Sequence, residues 1–183
     1  MSQYYYAVAS LPYLKSGEKS PITWDRFYEI VRSSLSEKDL EIFEKARLGI
    51  PTQTDEPFLK NWFDWEKELK KELARLRLQK AGFDNPNPLP ETLGVFSVSE
   101  VAKSLFLKDN PLEAEYLLDG IRWAFLEDLL LGHYFDLETV LAYSLKLQIL
   151  QRQELFEKTL GQENYQNTYK TIVQNLEINR ESV

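Results

Sequence analysis

The sequence predicts an all-α protein, a bundle of about six to seven helices. Three observations point there. Apolar residues recur in steps of three and four over several long stretches, as one face of a helix requires. Capping residues open these stretches, and glycines or prolines close them. No stretch alternates with the period of a strand convincingly enough to be one.

The first stretch, QYYYAVASLPYL, is ambiguous. Tyrosine and valine favour strands, yet Tyr5, Val8 and Ala9 also fit a helical stripe, and Pro12 forces an exit. A helix follows Pro21, capped by Thr23, with Trp24, Phe27, Ile30 and Val31 at helical spacing. SEKDLEIFEKARLG is the next, with Ser36 and Asp39 resembling a capping box, Leu40 and Phe43 on one face, and Gly49 and Pro51 at the stop. The clearest element runs through FLKNWFDWEKELKKELARLRLQKAG, where Leu59, Trp62, Trp65, Leu69, Leu73 and Leu76 form one apolar stripe. Glu66 and Lys70 are expected to pair across one turn on the opposite side, and Gly82 ends the helix.

FDNPNPLPETLG carries three prolines and no periodicity, so residues 83–96 read as a linker. The chain is expected to be a single helical domain over 1–183, with possible sub-units 1–82 and 97–183 on either side of that linker. SVSEVAKSLFL is a short helix with Ser97 and Glu100 as its capping box. Asn110 and Pro111 open the next helix, with Glu113 in its first turn and Gly132 at its exit. Gly120 falls mid-helix, where close packing against another backbone would explain it. Asp136 caps LETVLAYSLKLQILQRQELFEKTL, whose apolar positions nearly encircle it and place it centrally. The polar tail from Gly161 reads as a last, fraying helix.

Composition excludes several classes of function. The formal net charge of -7 repels a phosphate backbone, so nucleic acid is not an expected partner. With no cysteine there is no disulfide, thiolate nucleophile or sulfur-ligated metal, which fits a reducing cytoplasm. No apolar stretch reaches the roughly 18 residues of a membrane span, and no cleavable signal is visible. A soluble, cytoplasmic protein is expected, reaching a membrane only through a complex.

Candidate sites are few. His133, the single histidine, sits in GHYFD near Asp128 and Asp136. It has three readings: general acid/base chemistry, a cation at a helix C-terminus, or plain exposure. Glu113, Glu115, Asp119, Glu127 and Asp128 crowd one helix around Arg122, but the Glu-x-x-His pairs of a two-metal bundle are missing. Asp119 and Arg122 are better read as an ordinary ion pair. Lys67, Lys70, Lys71 and Arg75, with Arg77 and Lys80, make a local basic face suited to an acidic partner helix, or simply a solvated face. No glycine-rich phosphate loop can be drawn. No catalytic residue, cofactor, metal or small-molecule substrate is therefore expected.

The opening YYYAVASLPYL resembles the start of a family of uncharacterised bacterial proteins encoded alongside V/A-type ATP synthase genes. The resemblance continues in LSEKDLEIFEKA, in WFDWEKELKKELARLR, and in NPLEAEYLLDGIRWAFLEDLLLGHYFDLETVLAYSLKLQILQR, covering most of residues 3 to 157. The last segment also resembles the C-type socket component of V/A-type ATPases, called d-type in eukaryotes, through Tyr134, Phe135, Asp136, Leu141, Ala142 and Tyr143. That socket joins the membrane rotor ring to the central stalk, is all-α and has no catalytic residues. It is longer, with three related units where this chain has room for about two. The resemblance implies a non-catalytic component, accessory or assembly protein with ATP synthase subunits as partners. A helical interaction module outside that machine is the alternative. At least two of Tyr4, Tyr5 and Tyr6 are expected to be largely buried, each bringing a large apolar ring.

Overall fold

The computed structural model describes residues 3–83 and 97–156. Within them the chain forms seven helices and no strand: α1 (Gln3–Ser10), α2 (Trp24–Ser34), α3 (Glu37–Glu44), α4 (Pro57–Lys80), α5 (Val98–Phe106), α6 (Pro111–Leu129) and α7 (Leu137–Glu154). The all-α expectation holds. The expected last helix from Gly161 lies outside the described residues, as does the linker from residue 84 to 96.

Helix starts follow local chemistry. The side chains of Thr23, Ser36, Asn110 and Asp136 accept bonds from backbone N–H groups of the first turns of α2, α3, α6 and α7. Glu56 does the same for α4, just before Pro57. Ser97 precedes α5 but its side chain makes no such bond, so the expected capping box with Glu100 is not formed. Helix α3 ends at Glu44, five residues short of Gly49, which instead shapes the following loop at φ +78°. Gly132 turns the chain between α6 and α7 at φ +92°.

Helix α7 is the axis of the fold. Val140, Leu141, Ala142, Leu145, Leu147, Ile149 and Leu150 are all buried, as the encircling apolar pattern predicts. α1, α3 and α6 pack against it, α2 lies on α1, and α5 bridges α6 to α4. One hydrophobic core draws on both sides of residues 84–96, with Phe27, Phe43, Leu59 and Trp62 from one side and Ala102, Leu126 and Leu141 from the other. Polar clasps tie loops to the axis. Gln148 donates to the Ala46 carbonyl at 2.8 Å and accepts from the Leu48 N–H at 2.9 Å. Tyr143 donates to the Pro12 carbonyl at 2.9 Å, and its burial raises the phenol to about 12.

The opening stretch is a helix, and its inward face is Tyr4, Ala7, Val8 and Leu11 rather than Tyr5, Val8 and Ala9. The expectation that two of the three tyrosines are largely buried fails. Tyr4 is half-buried and donates to Asp39 at 2.8 Å, while Tyr5 is 45% and Tyr6 66% exposed. The reason is angular: three successive helical residues span about 200°, wider than a surface helix buries. Gly120 is also unlike its expectation, since a Cβ there would meet nothing within 4 Å.

Candidate functional site

The predicted basic face lies on the exposed side of α4, but its four cations differ. Lys67 is exposed and has no ion-pair partner among the described residues. Lys70 donates to the Gly49 carbonyl at 3.3 Å and lies 3.8 Å from Glu66. Lys71 pairs with Glu68 at 2.6 Å. Arg75 is turned towards the protein and clasps the buried Glu72 with two bonds of 2.8 and 2.7 Å, which hold that carboxyl below its usual range. Lys67, Lys70 and Lys71 thus form the presented basic face. Glu66, expected on the solvent side, is buried instead.

Glu66 belongs to a charged network inside the bundle. Arg122 of α6 grips it with one edge of the guanidinium, Nε and Nη2 donating to its two oxygens at 2.6 and 3.1 Å. Arg122 also donates to Asp119 at 3.1 Å, and Arg152 of α7 donates to the same carboxyl at 2.6 Å and pairs with Glu115. Burial raises the Asp119 carboxyl despite both arginines. Burial also opposes the charge on Arg122, but its bonds to Glu66 and Asp119 more than offset this and its pKa rises. Asp119 and Arg122 are the predicted pair, now seen as the middle of a five-member chain. Glu127 pairs separately with Lys146 at 2.7 Å. Glu115, Asp119 and Glu127 are therefore spread among cations rather than gathered at one point.

His133 sits at the turn into α7. Its Nδ1 lies 2.7 Å from Asp136 and 3.9 Å from Glu138. The bond to Asp136 raises the imidazolium above its usual range. Burial would raise the Asp136 carboxyl, but bonds from Thr139 and His133 outweigh it and hold it low. The geometry displays an arrangement outside the three readings of His133, an ion pair with Asp136, the capping residue of the next helix. His133, Asp136 and Glu138 can each offer one atom within 4.8 Å of the others, the spacing a metal would need. Asp136 is already spent, however, on His133, the Thr139 N–H and the Thr139 hydroxyl.

Beside this turn lies an exposed aromatic surface that residue-level reading missed. Tyr5 packs on Phe135 with ring centres 4.9 Å apart and on Tyr6 at 5.7 Å. Both rings of the first pair stay 45% exposed, and Tyr134 and Leu131 in the same turn are exposed too. The available signal was the tyrosine run itself, because a helix cannot bury three neighbours on one face.

These features define a class: an all-α protein with charged pairs locked into its interior and aromatic and basic faces on its surface. Residues 95–179, a little under half of the chain, match the model of a family described as a protein of unknown function, DUF2764. That span begins just before α5 and takes in α6 and α7. No curated protein and no solved structure matches the chain.

Proposed function

We propose that this protein is a non-catalytic component or accessory of a bacterial V/A-type ATP synthase, acting through protein–protein contacts. The observation that carries the contact reading is the exposed ring cluster of Tyr5, Tyr6 and Phe135, with Tyr134 and Leu131 also exposed in the turn that carries Phe135. Clustered aromatic rings left in water are costly for an isolated molecule and common in the centres of interfaces. The machine itself is supported by the resemblance of YYYAVASLPYL and of LGHYFDLETVLAY, which supply all five of these residues. No helix among the described residues is long and apolar enough to cross a membrane.

The test is affinity capture from the native cell with the ATP synthase kept intact, followed by quantitative mass spectrometry. Recovery of its subunits in amounts comparable to the bait is expected. Recovery of other proteins without those subunits would overturn the reading.

A further inference from the structure

A second surface carries a more specific assignment, independent of the ATP synthase reading. Between α4 and the loop at residues 49–51 lies a hollow of about 230 Å³. Ile50, Trp62 and Phe63 line it, and its wall is almost wholly apolar. Lys67, Lys70 and Lys71 stand around it. The one carboxylate in the lining, Glu66, is already gripped by Arg122. The hollow therefore presents a positive rim over an apolar floor, on a chain whose net charge is -7.

Trp62 supplies a reporter for the hollow. Its side chain is fully buried, and its indole Nε1 is the one buried side-chain polar atom without a hydrogen-bond partner among the described residues. Because Trp62 lines the hollow, its indole N–H signal reports on what enters there. The two neighbouring cations are also incompletely used: among the described residues Lys67 has no ion pair, and Lys70 reaches a carbonyl oxygen and an already occupied carboxylate.

We propose that this hollow docks an acidic segment of a partner protein. One aliphatic or aromatic side chain of the segment enters over Trp62, and flanking carboxylates meet Lys67 and Lys70. Size favours a peptide over a free ligand: small-molecule sites usually span about 300–1,000 Å³, whereas this one holds a single side chain. Charge complementarity at such a rim sets orientation and choice of partner. Asp55 and Asp64 line a neighbouring hollow that shares Lys67, so a basic segment has its own carboxylates there and would not be drawn to the Trp62 floor.

The test uses the full chain with its tryptophan indoles labelled with ¹⁵N. Four signals are expected from the four tryptophans, and Trp62→Phe assigns one of them. The probe is a twelve-residue peptide with the core Glu-Glu-Leu-Glu-Glu; controls replace each Glu by Lys, or the Leu by Ala. The expected result is a saturable shift of the Trp62 signal with the acidic leucine peptide alone, weakened by salt. Lys67→Glu with Lys70→Glu should reduce that affinity at least tenfold. Both lysines are exposed, and the other three indole signals report whether the variant stays folded. No shift at millimolar peptide, an equal shift with the Lys peptide, or an unchanged affinity in the charge-reversed variant would each overturn the proposal. A Trp62 shift with sodium octanoate but not with the peptide would also overturn it, giving the hollow to a small carboxylate instead.

Discussion

Helix α7 faces two unlike walls. One is aromatic: Trp24, Phe27 and Phe43 from α2 and α3 pack on one another with ring centres 5.6 to 6.3 Å apart, and Phe27 meets Tyr143 of α7 at 5.0 Å. The other is charged: Arg152 of α7 enters the chain that runs through Asp119 and Arg122 to Glu66 on α4. The aromatic wall gains from apolar area removed from water, a term that is non-directional and scales with that area. The charged wall gains only when every member is paired, because a buried charge left alone costs more than the pair contributed. The first wall supplies cohesion. The second fixes which turn of α4 faces which turn of α6.

The largest effects come from emptying either wall. Phe27→Ala should cost about 3–5 kcal/mol through a cavity at a fully buried ring. Glu66→Ala should cost about 3–5 kcal/mol by leaving the buried Arg122 with Asp119, already shared with Arg152, as its one remaining partner among the described residues. Near-isosteric changes then separate the walls. Glu66→Gln, which keeps the shape and removes the charge, should still cost about 2–4 kcal/mol. Phe27→Leu should cost about 1–2 kcal/mol. Urea unfolding followed by circular dichroism measures all four, and a Glu66→Gln cost below that of Phe27→Leu would break the comparison.

Smaller effects sharpen it at the margins. Gly120 lies one residue from the charged wall yet has open space at its Cβ, so Gly120→Ala should stabilise the protein by about 0.5–1 kcal/mol. A loss would mean that the charged wall constrains the backbone there after all. The His133–Asp136 pair lies outside both walls. Because the folded pKa of His133 is raised, its contribution is full below 6.5 and is lost as pH rises through the folded value. Because that of Asp136 is lowered, its contribution is present above 3.8 and is lost as pH falls through the folded value. The pair should therefore stabilise most between those limits. The single histidine can be titrated by NMR, and Asp136→Asn should bring its pKa down towards 6.5. An unchanged titration would contradict the pairing.

The aromatic wall was legible in the sequence, and the charged wall was not. Phe27, Val31, Phe43 and the α4 stripe announce themselves by period, and α7 by being apolar all round. Glu66 and Lys70 carry the spacing of a surface ion pair, and nothing local reveals that Arg122, fifty-six residues away, takes the carboxylate inwards. Asp119 and Arg122 were legible as a pair, but the reach of Arg152 from another helix was not. At the surface, the lysines of α4 were visible as a cluster, whereas the hollow beneath them depends on where Gly49 folds its loop. The tyrosine run misled for a geometric reason, since its composition reads as core while its angular spread keeps Tyr5 and Tyr6 at the surface.

The central claim, that the Tyr5–Phe135 surface meets a component of a V/A-type ATP synthase, is tested most directly by site-specific photo-crosslinking in the native cell. A benzophenone amino acid would replace Tyr6 or Tyr134, with exposed Glu41 on α3 as the control position. The account predicts that positions 6 and 134 crosslink to one and the same ATP synthase component, and that position 41 gives no such product. Crosslinks from 6 and 134 to proteins outside that complex, or none where position 41 crosslinks freely, would contradict it.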